Sequence, residues 1–235
     1  MKKDEQNNPE AMERERFFRK MMLDNLKSTS TIDSYELQLF DWYIRETEQL
    51  IAGMLSAEKT YIQEQIDVGT EDVNDSGIVA AEYYLKRLRY SHVIYMTSLL
   101  ESFLERSCEK LTNIIGKQNM PFNIGDLTGD QWSVKRKFLE RYGNFKIPKN
   151  IFSEINILIF LRNNFVHDNG STSELKNQEK AMLDKQPWVN LSGPEIVIEA
   201  DYIHSAFKAI KSLIQFVEAR LGDIADRAIH PKIVA

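Results

Sequence analysis

The chain holds one cysteine, Cys108, in 235 residues. A lone thiol excludes an intrachain disulfide and any multi-cysteine metal site, and it suits a reducing compartment. No apolar run approaches the ~18–20 residues that a membrane span requires. The opening residues, MKKDEQNNPEAMERER, have two lysines but no apolar stretch behind them, so a secretory signal is not expected. Positive charge is not in surplus. With 30 basic and 35 acidic side chains the net charge is −5, so contact with a polyanion has to come from a local patch. There is no Gly-rich phosphate loop and no His-x-x-x-His pair, and His92, His204 and His230 stand isolated. The expectation is a soluble cytoplasmic protein with no metal, no cofactor and no membrane partner.

Glycine and proline are few, 10 and 6, and what they leave uninterrupted is long and helical. At 43% apolar residues the chain can build a sizeable core, and a single domain over 1–235 is the default reading. Pro9 suits the first turn of a helix reaching about Leu26. A break at Ser28–Glu36, with Asp33 or Ser34 as cap, starts a second helix to about Ile66. The stretch Asp67–Gly77 is acidic and bears two glycines, which marks a solvated loop. Asp72, Asn74 and Asp75 there invite a calcium reading, but the closing Glu and the second helix of an EF-hand are missing. A third helix spans about Ile78–Ile115. Its polar and small residues Ser91, Tyr95, Ser98, Ser102 and Glu105 recur at helical spacing, which predicts close approach by another helix. WVNLSGPEIVIEA alternates around Ser192-Gly193-Pro194 as a short β-hairpin, followed by a helix from about Asp201 to Leu221. The fold class is all-α: an up-and-down bundle of long helices with one hairpin before the last.

Between Lys135 and Lys149 six basic residues face one acid, Glu140. This is either a solvated helix face or a patch that tracks phosphates, with Lys135, Arg136, Lys137 and Arg141 as candidate RNA contacts. The next helix carries the most distinctive stretch, Leu161–Gly170 (LRNNFVHDNG), at the end of the apolar run IFSEINILIFL. At about 100° per residue, Ser153, Asn156, Asn163 and His167 form a polar seam, opposite Ile151, Ile155, Leu158, Phe165 and Val166. Arg162 falls within the apolar arc, about 140° from His167. An arginine so placed pairs, snorkels or meets a second chain. A histidine near a helix end is also a common cap, and a buried arginine is often half of an ion pair. A second Arg-to-His spacing, Arg87 to His92, shows that the bare pattern arises by chance.

The order apolar run, Arg162, Asn163, apolar, His167, Gly170 resembles the Arg-x4-to-6-His signature of the HEPN superfamily. SHVIYMTSLLESFLE is similar to the helix that carries a glutamate before a small residue and Phe in prokaryotic members, which Glu101-Ser102-Phe103 fits. The resemblance covers about Tyr83–Leu221, so residues 78–221 are expected to be a HEPN-like core and 1–66 a helical extension. It implies a metal-independent endoribonuclease of a toxin or antiviral-defence kind. Arg162 and His167 would be catalytic, with Asn163 beside them, and Glu101 and Asn156 would support them. RNA is the implied substrate and a homodimer the implied assembly, with two motifs facing across a cleft. An inhibitory protein partner belongs to some such systems. Members neutralised by a partner nucleotidyltransferase tend to carry Tyr two residues after the His, where this chain has Asn169. The alternatives are a HEPN-like domain that binds RNA, nucleotide or protein without cutting, and an unrelated helical scaffold.

Overall fold

The computed structural model of the chain describes residues 9–69, 74–120, 124–191 and 193–229. Asp72, Ser192 and His230, singled out in the sequence, lie outside them. Seven α-helices account for most of the described residues: α1 Pro9–Ser28, α2 Ser34–Asp67, α3 Ser76–Ile115, α4 Gln131–Gly143, α5 Lys149–His167, α6 Asn177–Leu183 and α7 Ala200–Ile229. A hairpin, the one among the described residues, pairs β1 (Val189–Asn190) antiparallel with β2 (Val197–Ile198), immediately before α7. The all-α class and the hairpin are as the periodicity predicts. No helix among the described residues is long and apolar enough to cross a membrane.

Residue contacts divide the chain into two compact units, neither continuous in sequence. One unit combines residues 1–32, 100–148 and 212–235; the other combines 33–99 and 149–211. Helices α3 and α7 contribute a segment to each.

In the first unit, Leu23, Ile114 and Ala225 form a buried cluster, with Leu26, Ile224 and Ala228 packed on it. This explains why α7 runs on to Ile229 rather than ending near Leu221. Alanine and isoleucine at 224, 225 and 228 continue its apolar face past Gly222, and tertiary burial outweighs the weak helix preference of one glycine. The short linker after α1 is held by side chains. Glu218 accepts hydrogen bonds from Ser30 Oγ (2.6 Å), Thr31 N (2.9 Å) and Thr31 Oγ1 (3.0 Å), and Lys110 Nζ donates to Thr29 O at 2.6 Å. Cys108 is buried and directs its thiol at the Lys135 carbonyl, 3.6 Å away. Burial pushes that thiol up to about 12.

In the second unit the core is built from Phe40 and Ile44 of α2, Val93 and Met96 of α3, Ile155, Leu158 and Leu161 of α5, and Ile203, Phe207 and Ile210 of α7. Asp33 caps α2, accepting from Tyr35 N at 2.8 Å. Only Phe40 and Ile44 of this 34-residue helix are buried. Ser91 and Ser98, expected to sit against another helix, are exposed instead, whereas Tyr95 is 45% exposed with its ring 4.5 Å from that of Phe40 on α2. Their neighbours Val93, Met96 and Leu99 supply the buried face of α3, so this part of the small-residue seam is a solvent face.

Candidate functional site

Helix α5 ends where the side-chain chemistry is richest. Asp168 N and Gly170 N both donate to Asn164 O, at 2.8 and 3.3 Å, closing the last turn. Asn169 (φ 52°) and Gly170 (φ 81°) then adopt the left-handed region and turn the chain away. Glycine is required at 170, because a Cβ there would strike the Tyr90 hydroxyl. That ring stacks on Phe165, with centroids 3.8 Å apart and planes 11° from parallel, and its hydroxyl donates to Ile196 O. The exit loop is fastened to the segment before β2: Ile196 N donates to Gly170 O at 2.7 Å and Thr172 N to Pro194 O at 2.9 Å. Burial raises the Tyr90 hydroxyl to about 12, so it is a protonated donor at neutral pH.

On this end of the helix Arg162 is half-buried rather than enclosed in the core. Its Nη1 donates to Asn163 Oδ1 at 3.0 Å, while its Nε is shielded from solvent and meets no partner. Asn163 is exposed, and so is His167, which makes no hydrogen bond or ion pair among the described residues. The helix thus joins Arg162 to Asn163 and leaves His167 facing solvent five residues on. Asn156 lies two turns before Asn163 and is half-buried. Glu101 belongs to the other unit, where its carbonyl accepts from Lys135 Nζ at 3.2 Å.

Two expectations for α5 are corrected. Val166 is 48% exposed, and Arg162 is only half-buried, Asn164 being the buried polar residue of the motif instead. The buried arc runs through Leu158, Leu161, Asn164 and Phe165, which carries Val166 past its edge and Arg162 to its rim. Asn164 Nδ2 donates to Ser171 O at 3.2 Å and to Asp168 Oδ2 at 3.4 Å. Asn164 is therefore what fixes the exit of the motif, a role the polar-seam reading did not assign it. A run of two asparagines before a Gly-bearing helix end was the available signal.

The second Arg-to-His spacing comes apart in the fold. His92 is buried, 1% exposed, against the edges of Phe40 and Tyr43, and its Nε2 lies 3.3 Å from Thr47 Oγ1. Arg87 turns the other way. Its Nη1 donates to Asn169 Oδ1 at 2.5 Å, its Nη2 lies 3.7 Å from Glu195 Oε1, and its guanidinium covers the faces of Tyr83 and Tyr90.

In the basic stretch the four candidate contacts divide. Lys135 is buried, its Nζ 3.3 Å from Glu105 Oε2, so it is a structural cation. Arg136 is paired with Glu140 at 2.9 Å and only about one-fifth exposed. Lys137 and Arg141 are exposed, and with Lys146 they line one groove of about 510 Å³. Residues one helical turn apart, 137 and 141, share that face, whereas 135 and 139 turn inward.

Among the described residues no group of three or more His, Cys, Asp or Glu side chains converges as a metal site. Comparison with protein families, with characterised proteins and with solved structures returns no match to this chain.

Proposed function

We propose that the chain is a metal-independent endoribonuclease of HEPN type, acting as a homodimer in the cytoplasm in a toxin or antiviral-defence role. One observation carries the reading. The chain presents an exposed imidazole, His167, at the end of a packed helix that also displays a half-buried Arg162 tethered to Asn163.

The chemistry follows from those groups. A neutral imidazole accepts the 2′-OH proton of RNA as the 2′-oxygen attacks the adjacent phosphorus. The P–O5′ bond then breaks, leaving a 2′,3′-cyclic phosphate, and the departing 5′-oxygen takes a proton. One His per chain cannot be base and acid at once in a single step, so two copies of His167 would share the roles across a cleft. Arg162 stays charged and donates two parallel hydrogen bonds to the non-bridging phosphate oxygens as negative charge builds there. Asn163 orients the guanidinium, as it does in the free chain. Lys137 and Arg141 would supply backbone attraction that the acidic net charge otherwise denies.

A second reading, a HEPN-like domain that binds RNA, a nucleotide or an inhibitory protein partner without cutting, is favoured by one feature. His167 makes no hydrogen bond with Arg162 or Asn163, so within one chain the catalytic pair is not assembled. Incubating the purified protein with a mixed-sequence RNA and analysing the ends of the fragments separates the two. Cyclic-phosphate ends that vanish in His167→Ala support cleavage, and intact RNA retained on the protein supports binding alone.

A further inference from the structure

Helix α2 carries two apolar stripes, and its own unit buries one. The inward stripe is fixed by its partners: Phe40 packs on Tyr95 and Phe207, and Glu48 pairs with Arg89 at 2.8 Å. Ile44, Ile51, Leu55 and Ile62 fall on that same side at about 100° per residue, and none of them is exposed. The second stripe lies about 100° round the helix: Leu39, Tyr43, Leu50, Met54 and Tyr61, with Trp42 on its flank. Each of these six is between 44% and 66% exposed. The stripe is about 33 Å long. Its exposed apolar area is roughly 700 Å², more than monomers ordinarily leave open and close to the ~800 Å² per partner of a stable complex.

Charge selects the partner. Glu46 and Glu64 stand within the stripe, both exposed, and Glu36 and Glu58 border it on the side toward α3. None of these four carboxylates pairs with a cation among the described residues. The ion pairs of α2 use Asp41, with Arg45 and Lys211, and Glu48, with Arg89. The helix's own cations, Arg45 and Lys59, project about 140° and 180° away from the middle of the stripe. This face therefore offers apolar side chains and unpaired carboxylates, and no positive charge of its own.

We infer that this face of α2 docks a basic amphipathic helix of another protein. Such a helix lays its apolar side on Leu50, Met54 and the neighbouring rings, and sets Lys and Arg side chains against Glu46 and Glu64. The methionine and the exposed rings adapt to the shape of what they meet. A second copy of α2 would bring the same carboxylates and no cation, and an anionic lipid surface is repelled. The inference is independent of the α5 chemistry: neither Arg162 nor His167 takes part.

The test uses the full chain and, as the probe, the dye-labelled amphipathic peptide LKKLLKLLKKLLKL, with binding followed by fluorescence anisotropy. Expected is saturable binding that weakens on the order of tenfold or more in the double variant Leu50→Ser with Met54→Ser. Glu46→Gln with Glu64→Gln should weaken it several-fold and flatten its salt dependence. Glu109→Gln with Glu174→Gln, which removes two exposed carboxylates elsewhere, should change neither. All six side chains are exposed, so the variants are expected to fold; circular dichroism checks this. The inference is overturned if the peptide fails to bind, if its acidic counterpart LEELLELLEELLEL binds as well, or if the serine variant binds like wild type. Equal weakening by the distant pair of substitutions overturns it too, since the attraction would then belong to the acidic chain at large. Sedimentation covers self-association: a dimer of the free chain that the serine variant dissociates gives the face to a second copy and sinks the inference. Capture of wild type, but not of that variant, by phosphatidylcholine vesicles gives it to a lipid surface, with the same result.

Discussion

Arg87 donates to Asn169 Oδ1 across 2.5 Å, so the arginine of the chance Arg-to-His spacing ends up holding the residue two places after His167. The link ties α3 to the left-handed turn that ends α5, and it sits beside the Tyr90–Phe165 stack. The loop that follows His167 is therefore anchored from another helix.

If His167 moves the proton and Arg162 holds the phosphate, each is separately indispensable. Arg162→Ala and His167→Ala should each lower the RNA-cleavage rate by a factor on the order of 10²–10⁴, with circular dichroism and sedimentation unchanged. Cleavage at the wild-type rate by His167→Ala would end the nuclease reading.

Gly170→Ala places a methyl group against the Tyr90 hydroxyl and demands a left-handed backbone from an L residue. We expect a loss of about 2 kcal/mol or more in unfolding free energy, read as a lower urea midpoint. Tyr90→Phe is the milder test. It keeps the ring on Phe165 and removes only the bond to Ile196 O, for about 1 kcal/mol.

His92 gives stability a pH dependence whose sign is fixed. Its pKa is about 4 in the fold, against 6.5 for an unperturbed imidazole in an open chain. Above pH 6.5 the ring is neutral in both states and the contribution is complete. Between 6.5 and 4 only the unfolded chain takes up the proton, so stability falls, by roughly 3 kcal/mol in total. Urea midpoints of wild type and His92→Phe, compared at about pH 7, 5.5 and 4.5, should show wild type losing stability relative to the variant as the pH drops; a constant difference would count against the buried neutral ring.

The basic stretch makes a split prediction. Lys137→Glu with Arg141→Glu should weaken RNA binding and reduce the slope of log K against log salt by about 2. Lys135→Gln should leave that slope unchanged and lower thermal stability, because Lys135 is a buried partner of Glu105.

Helix existence was legible wherever apolar spacing ran unbroken. The limits of α1, α2 and α3 lie within a few residues of those read from caps and loops. The end of α7 was not, since Gly222 breaks the pattern locally and only the cluster with Leu23 and Ile114 restores it. On α5 the wheel gave the polar seam of Asn163 and His167 correctly but placed the buried arc about one residue too far along. That shift hid Asn164, whose burial depends on the loop carbonyl of Ser171, a partner no periodicity reveals. The same holds for Lys135, whose charge suggested a surface while its neighbours Phe138 and Leu139 turned inward.

The enclosed Cys108, held as a thiol by its surroundings, is a practical asset. Maleimide dyes and nitroxides react through the thiolate, so the native chain should remain unlabelled under mild conditions. A cysteine placed at exposed Val166 would then be the one reactive sulfur per chain. Spin labels there would report, by their mutual distance, whether two copies of the α5 end face each other in solution.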